Sequence, residues 1–330
     1  MSQKNKLTKS PNFKDGSFQN LVDTPVMSSD VSYLKVLKDM LRRPSGIRPS
    51  QKIPSVKTDL KTLSSELPVV IWFGHSSYLI HCRGINILVD PVFSGHASPV
   101  PFMIKAFPGS DIFSTDDLPE IDFVIITHNH YDHLDKSTIK KLNAPVFYTS
   151  LGVEESIRHF SIGDRLIYEL DWWESVDISE DIQLTATPAR HFSGRGMKRG
   201  GSLWSSFALQ LFGYRIFLGG DSGYGEHFKE IGKRFGPFDL AILECGQYNT
   251  SWPLIHMMPE ETVQATIDLQ AEVLMPVHWG KFALANHLWN EPAKRVVKAA
   301  FESDVKITIP LIGEPVTVKG NYPDDPWWDL

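Results

Sequence analysis

The sequence is poor in cysteine and has no apolar run long enough to cross a bilayer. Its two cysteines, Cys82 and Cys245, lie far apart and cannot form the disulfide framework of a small secreted domain. A membrane-spanning helix needs about 20 apolar residues, and the apolar runs here are much shorter. Residues 1–6 are polar and no apolar segment follows them, so we expect no signal peptide. These absences predict a soluble, cytoplasmic protein with reduced thiols.

The chain also has no excess of positively charged residues. The 33 lysines and arginines face 39 aspartates and glutamates, which gives a formal net charge of −6. Because binding to a phosphate backbone requires a basic surface, we expect no nucleic-acid partner. Hydrophobic residues make up 42% of the 330 residues and aromatic residues 11%. That content suffices for a sizeable core, in one large domain or two modest ones, and excludes global disorder.

Residues 1–60 differ from the rest of the chain in charge. Lysine and arginine outnumber the acids there, although the chain as a whole is acidic. We interpret 1–60 as a basic N-terminal extension that packs on or flanks the core. The alternative is a surface that attracts anionic lipid head groups or a phosphorylated substrate. The apolar spacing within 32–43 predicts a short amphipathic helix. In 61–330, strands and helices alternate in two halves, which indicates a layered α/β fold.

The most informative stretch is His-Asn-His-Tyr-Asp-His at 128–133, directly after the apolar run 123–127. That run has the length and β-branched content of a buried strand. If the chain stays extended, His128 and His130 project from the same side and can reach one cation. A helix that begins at about Asp132 would displace this carboxylate and His133 toward a second cation. Imidazole and carboxylate together suit zinc and similar divalent metals.

Other predicted strands also end in groups that can bind metals. His191, Asp221 and His278 each follow an apolar strand pattern, and a strand–loop junction holds a side chain rigidly while exposing it. His75 follows another such strand and could face the same site. Asp90 could orient a metal ligand by hydrogen bonding, or could simply form a turn.

The remaining histidines and one apolar loop are less informative. We expect His81, His159 and His227 at the surface. His96, His256 and His287, in loops, could line a pocket. The loop 95–109 is rich in large apolar residues; it could cover a pocket, contact lipid or pack inward, and packing is slightly favoured.

The motif at 128–133 after a buried strand resembles the signature of the metallo-β-lactamase superfamily. The resemblance implies a four-layered αββα sandwich over residues 61–330, two Zn²⁺ ions (Mn²⁺ or Fe²⁺ being alternatives) and hydrolysis by a hydroxide that the metals share. It also implies a ligand set. The first metal would be bound by His128, His130 and His191, the second by Asp132, His133 and His278, and both by Asp221. Asp132, Asp221 and His75 are the candidate catalytic residues.

The di-iron branch of this superfamily has glutamate in place of the second histidine, so the histidine at position 130 favours hydrolysis. Five further segments resemble the N-acylphosphatidylethanolamine-hydrolysing phospholipase D group, which is related to the ascorbate-6-phosphate lactonases: 72–77, 188–191, 203–207, 220–224 and 277–280. The likeness covers about 65–315.

This likeness implies a phosphodiesterase of phospholipase D type that acts on N-acylphosphatidylethanolamine or a similar amphiphile, with peripheral membrane contact. The alternative is a lactonase or another small-ester hydrolase with the same metal site. A non-catalytic binding protein on this fold would be expected to lack at least one ligand, and all seven are present.

Overall fold

The computed structural model describes residues 6–29, 31, 32, 34, 38, 42–196 and 199–330. In chain order the strands are Phe13–Lys14 (β1), Ser17–Phe18 (β2), Val69–Trp72 (β3), Tyr78–Cys82 (β4), Ile85–Val89 (β5), Phe123–Ile126 (β6), Val146–Ser150 (β7), Leu166–Leu170 (β8), Ser175–Ser179 (β9), Ile182–Pro188 (β10), Ser205–Leu211 (β11), Tyr214–Leu218 (β12), Leu240–Glu244 (β13), Val273–Val277 (β14), Lys306–Ile307 (β15) and Pro315–Thr317 (β16). The α-helices are Lys136–Lys141 (α1), Val153–Arg158 (α2), His227–Phe235 (α3), Pro259–Asp268 (α4) and Glu291–Glu302 (α5).

Two seven-stranded sheets form the centre of the molecule. Their spatial orders are β16-β3-β4-β5-β6-β7-β8 and β15-β14-β13-β12-β11-β10-β9. Both sheets have the same sequence of pairings. Across the first sheet from β16, and across the second from β9, three antiparallel strand pairs are followed by three parallel pairs. The two halves of the chain therefore build sheets of the same pattern, as the alternation of strands and helices indicated.

The sheets pack face to face, and helices cover their outer faces. Strand β6 shows why, because Phe123 and Ile125 join the core cluster that both sheets share, while Val124 and Ile126 join the cluster on the other face. A strand buried on both faces needs the continuous apolar run that the sequence has. The outer cluster of the first sheet includes Ile139 of α1, and residues of α3, α4 and α5 cover the second sheet. The predicted αββα sandwich is confirmed.

The start of the first helix is a correction. The sequence predicted a helix from about Asp132, but α1 begins only at Lys136. The amides of His133 and Leu134 both donate to the carbonyl of His130, which makes a single turn. Asp135 then caps the helix by accepting a hydrogen bond from the amide of Ser137. The motif therefore lies in a turn, and the helix starts after it.

The described part of the N-terminal extension is packed on the sandwich. Phe18 is only 3% exposed and joins a cluster with Trp172, Leu203 and Trp204. Most of the amphipathic helix predicted within 32–43 lies outside the described residues. The division of the chain at residue 60 stays a prediction.

The apolar loop at 95–109 has mixed surroundings. Phe107 is buried, as the favoured interpretation expected, but Phe102 and Met103 are 73% and 50% exposed. Among the described residues, no helix has both the length and the apolar character needed to cross a bilayer.

Replacing Phe18 by alanine tests how firmly the extension is built into the fold. The change removes a buried ring from the cluster, and we expect it to lower the free energy of unfolding by about 3–5 kcal/mol. Chemical denaturation measures this. Leu21→Ala is the matched control, because Leu21 is 56% exposed in the same segment and should change stability by less than about 0.5 kcal/mol. A stability of Phe18→Ala equal to that of the control would contradict this packing.

Candidate metal centre

Three imidazole nitrogens converge at the loop that follows β6. Nε2 of His128 lies 3.0 Å from Nδ1 of His130, which lies 3.2 Å from Nε2 of His191. Nitrogen ligands about 2.0–2.1 Å from a tetrahedral zinc ion are about 3.3 Å apart. Burial lowers the pKa of His130 to about 3 and the pKa values of His128 and His191 well below the usual value. All three rings are therefore neutral, which is the form that binds a metal, and together they could hold one divalent cation.

A second group of ligand atoms lies beside the first. Oδ2 of Asp132 is 3.6 Å from Nε2 of His133. With His75 and His278, these residues place one ligand atom each within 4.8 Å of one another. All four side chains are buried. Asp132, His133 and His278 could therefore hold a second cation.

Asp221 lies between the two groups. Its Oδ2 is 3.1 Å from Nε2 of His133, and its Oδ1 is 3.2 Å from Nδ1 of His278. The same Oδ2 is 3.7 Å from Nε2 of both His128 and His191. This carboxylate is therefore within reach of both candidate cation positions.

Unpaired atoms in this cluster fit a bound metal. Nε2 of His133, Nε2 of His278 and Oδ1 of Asp221 are buried and make no hydrogen bond with the described part of the chain. A buried polar atom without a partner is costly and calls for an explanation. Divalent cations supply one, because each of these atoms is a metal-ligand type at the centre of a group of others.

The charge of the cluster favours a cation as well. Although burial lowers it, the carboxylates of Asp221, Asp132 and Asp90 raise the pKa of His133 well above its usual value. Burial raises the pKa of Asp221 to about 6, against the opposing effect of His133. Several carboxylates thus share one buried volume, where a metal ion would replace the proton that they favour on His133.

Hydrogen bonds at the far side of the rings set their orientation. Nδ1 of His133 lies 2.7 Å from Oδ2 of Asp90, and Nδ1 of His191 lies 2.8 Å from the carbonyl of Ile255. Each of these acceptors requires the proton on Nδ1, which leaves the Nε2 lone pair free for a metal. Asp90 therefore orients a candidate ligand, one of the two roles considered from the sequence.

Hydroxyl groups contact Nδ1 of two further rings. Oγ of Ser76 lies 2.8 Å from Nδ1 of His278, and Oγ1 of Thr127 lies 3.0 Å from Nδ1 of His128. Thr127 in turn donates to Oδ2 of Asp90 at 2.6 Å. One chain of hydrogen bonds thus connects the supports of His128 and His133.

The loop after β12 brings Asp221 into the cluster, and to do so its backbone passes close to neighbouring strands. Gly220 has φ +59°, and a Cβ there would lie 3.0 Å from both the Ser205 carbonyl and Cβ of Thr127. A larger residue would be strained and crowded at this turn. Glycine lets the chain pass close to β11 and present Asp221.

His75, predicted as a catalytic residue, touches Asp132 and does not line the cavity above the cluster. It is fully buried, with Nε2 3.0 Å from Oδ2 of Asp132. Although burial raises the pKa of Asp132, His133 and His75 lower it well below the usual value. The structure thus places His75 against a candidate ligand, and its predicted catalytic role stays a prediction.

Glu244 and the role of His256 were missed by sequence reasoning. Nδ1 of His256 lies 2.6 Å from Oε2 of Glu244, and the His256 ring is 5.0 Å from that of His191. These two residues also form, with Asp221 and His278, a third group of possible ligands. The sequence offered one weak signal, since Glu244 is the polar residue that ends the apolar strand β13.

The remaining histidines give mixed outcomes. His159 is exposed, as expected. The expectation was wrong for His81, which is buried, and for His227, which is half-buried; each ring lies against a polar side chain. His96 and His287 bond to nearby backbone groups, outside the cavity above the cluster.

That cavity has a volume of about 360 Å³. Its floor includes His130, His191 and His278, and His256 lies in its wall. The remaining wall is mostly apolar and contains Val26, Met27, Phe192, Trp252, Ile255 and Leu284, with Arg199 as a cation. The N-terminal extension therefore contributes side chains to the cavity.

The fold and this cluster agree with the comparisons to known proteins. The family model of the β-lactamase superfamily domain matches residues 85–279. An uncharacterised protein of Mycobacterium tuberculosis (strain ATCC 25618 / H37Rv) is 39% identical over 329 residues, which are 97% of this chain and 88% of that protein. N-acyl-phosphatidylethanolamine-hydrolysing phospholipase D 1 of Caenorhabditis elegans is 30% identical over 259 residues, which are 70% of this chain and 73% of that protein.

A solved structure of a possible metal-dependent hydrolase from Veillonella parvula has the same fold. It matches with a TM-score of 0.59 at 17% identity, over 76% of this chain and 99% of that one. The family match spans more than half of the chain. The chain therefore belongs to the β-lactamase superfamily, among the metal-dependent hydrolases that are homologous to the N-acyl-phosphatidylethanolamine-hydrolysing phospholipases D.

Proposed function

We propose that the chain is a dinuclear metal-dependent phosphodiesterase of phospholipase D type, acting on N-acylphosphatidylethanolamine or a similar amphiphile. One observation carries the proposal: Asp221 lies within reach of both groups of ligand atoms, and it lines a cavity whose other side chains are mostly apolar. The homologous phospholipases D support the same reaction. Zinc is the metal that the donor set suits best, because imidazole nitrogen and carboxylate oxygen are among its usual ligand atoms.

In this proposal His128, His130 and His191 hold the first metal, and Asp132, His133 and His278 hold the second. Asp221 contributes to both. Two such cations, when bound, supply a hydroxide at neutral pH and polarise a phosphoryl oxygen. The supporting hydrogen bonds described above hold the rings of His128, His133, His191 and His278, so these ligands would need little rearrangement when the metals bind.

His256 is the group placed to move a proton. It lies in the cavity wall, and Glu244 holds its Nδ1, so that Nε2 is the atom available to a substrate. Burial lowers the pKa of His256 and raises that of Glu244 well above its usual value. With Glu244 protonated and donating to Nδ1, the neutral ring carries its own proton on Nε2. It would pass this proton to the oxygen of the leaving group and take up the proton of Glu244 at Nδ1.

The cavity wall indicates the substrate class. Its side chains are mostly apolar, whereas Arg199 brings one positive charge to its edge. A phosphodiester that carries an acyl chain would match both features. The volume of about 360 Å³ lies near the lower end of small-molecule pockets, so the two long chains of a phospholipid would have to remain outside. A small lactone or ester would fit entirely, which keeps a small-ester hydrolase as the second candidate.

We also propose that the mouth of the cavity contacts a membrane surface. Leu21 and Val22 are 56% and 57% exposed, in the segment that supplies Val26 and Met27 to the cavity. Lys14 and Arg199 line an adjoining cavity of about 470 Å³ together with Val22. Apolar and basic side chains beside a lipid-hydrolysing site would let the protein take its substrate from the bilayer.

A turnover screen tests the function. Protein loaded with zinc should hydrolyse N-acylphosphatidylethanolamine faster than simple lactones or phosphomonoesters. Asp221→Ala should abolish turnover, because it removes the one carboxylate that reaches both ligand groups. His159→Ala, at an exposed position, serves as the control and should keep full activity. Faster turnover of lactones would favour the second candidate, and undiminished activity of Asp221→Ala would reject the metal mechanism.

Replacing His256 by glutamine separates proton transfer from metal binding. We expect kcat to fall by about 10²–10⁴-fold, the usual contribution of a positioned acid or base. Elemental analysis should still find two zinc ions per chain in both proteins, since His256 is outside the proposed ligand set. A loss of one zinc in the variant would instead make His256 a ligand.

Vesicle co-sedimentation tests membrane contact. The protein should bind anionic vesicles at low salt and less at high salt, because charges are screened within about 10 Å at 0.1 M. The double change Leu21→Glu and Val22→Glu should weaken binding by more than about tenfold, since burying one such side chain contributes about 1.5–3 kcal/mol. Leu166→Glu is the control, a leucine that is 54% exposed on strand β8. Equal binding of the double variant and the control would refute the contact.

A further inference from the structure

Residues 17–29, here called the N-terminal strap, are attached to the loops that surround the metal centre. At one end, the amide of Phe18 donates to the carbonyl of Gly200 at 2.9 Å. Near the other end, the amide of Ser28 donates to the carbonyl of Ser251, also at 2.9 Å. Arg190 holds the middle, because its Nε donates to Oγ1 of Thr24 at 3.0 Å. The strap therefore crosses the site and is not a loose flank.

One strap residue bonds directly to the backbone of a candidate ligand. Nδ2 of Asn20 donates to the carbonyl of His191 at 2.8 Å, and Oδ1 of Asn20 accepts from the amide of His191 at 3.1 Å. The same Oδ1 accepts from Nε1 of Trp204 at 3.1 Å. One side-chain amide thus satisfies both backbone groups of His191, as a neighbouring strand would.

His191 needs such a partner because it lies beyond the end of its strand. β10 ends at Pro188, and residues 189–193 have no regular secondary structure. His191 is only 1% exposed, so water does not reach its backbone freely and its polar groups need protein partners. Asn20 supplies those partners and holds the main chain, while the carbonyl of Ile255 holds the ring.

We propose that Asn20 is a positioning residue for metal binding by His191, so that the N-terminal strap is a working part of the metal centre. The inference rests on the metal-binding role proposed for His191. With both the backbone and the ring of His191 fixed, its Nε2 stays 3.2 Å from Nδ1 of His130. Loss of such a supporting contact weakens metal affinity by about 10–100-fold in metal sites of this kind.

Zinc affinity of the full-length protein measures this directly. The protein and its variants are stripped of metal and reloaded, and zinc dissociation constants are determined by competition with a chelator. Asn20→Ala removes all three hydrogen bonds, and Asn20→Leu removes them while nearly keeping the side-chain volume. We expect both variants to bind one of the two zinc ions, the one assigned to His191, about 10–100-fold less tightly than the unchanged protein.

Gln19→Ala is the matched control. Gln19 is the exposed neighbour of Asn20, and within the described residues its side chain bonds only to Ser17 of the strap itself. It should keep the affinity of the unchanged protein. The absorption spectrum of the cobalt-substituted protein should shift in the Asn20 variants and not in the control, since it reports the geometry of the ligands.

A purely structural role for Asn20 would give a different result. It would lower the unfolding temperature of the metal-free protein and leave the zinc affinity of the folded variants unchanged. That outcome overturns the inference, and so does a failure of both variants to fold. The unchanged protein separates this inference from the proposed function: if it binds no zinc, the metal centre itself is rejected, whereas normal binding in both the unchanged protein and the variants rejects only the role of Asn20.

Discussion

The arrangement of this site is governed by an excess of ligand groups buried in one small volume. Asp132, Asp221 and His133 lie within a few ångströms of one another with almost no access to water. Buried carboxylates and unpaired ring nitrogens destabilise a fold unless a counter-charge balances them. Bound cations would account for both observations, because they would coordinate the unpaired atoms and balance the buried charge. Metal binding at this cluster would therefore stabilise the fold.

The two-sheet sandwich meets this demand by bringing strand ends together. β6, β10, β12 and β14 are buried strands that end at one edge, and the residues just beyond each of them face a common centre. A ligand beyond a strand end has lost its ladder partners, so its backbone and ring need other contacts. Ser76, Thr127, Asp90 and the carbonyl of Ile255 provide these for the rings. The precision of the site thus depends on residues that would never bind the metal themselves.

Sequence reasoning succeeded where the signal was local. The apolar run before His128 predicted a buried strand, which the structure has, and one of the two roles considered for Asp90, orienting a candidate ligand, matches its bond to His133. It failed where contacts are distant in sequence. The pairing of His256 with Glu244 follows from the path of a loop and leaves no periodic pattern. The expected start of the helix at Asp132 was wrong. Asp135 is the N-cap and accepts a hydrogen bond from the amide of Ser137, so the helix starts after the motif.

The N-terminal extension makes a contact with the metal centre that its composition does not indicate. Its basic charge suggested a flank or a lipid surface, yet its most specific contact is neutral: the amide of Asn20 on the backbone of His191, 171 residues away. The same strap supplies Val26 and Met27 to the cavity wall. The strap supports one candidate ligand and also shapes the cavity, so the geometry of the metal centre and the fit of a substrate both depend on it. Changes in its apolar residues could alter which substrates enter while Asn20 keeps the ligand in place, so specificity can vary without any change in the metal ligands.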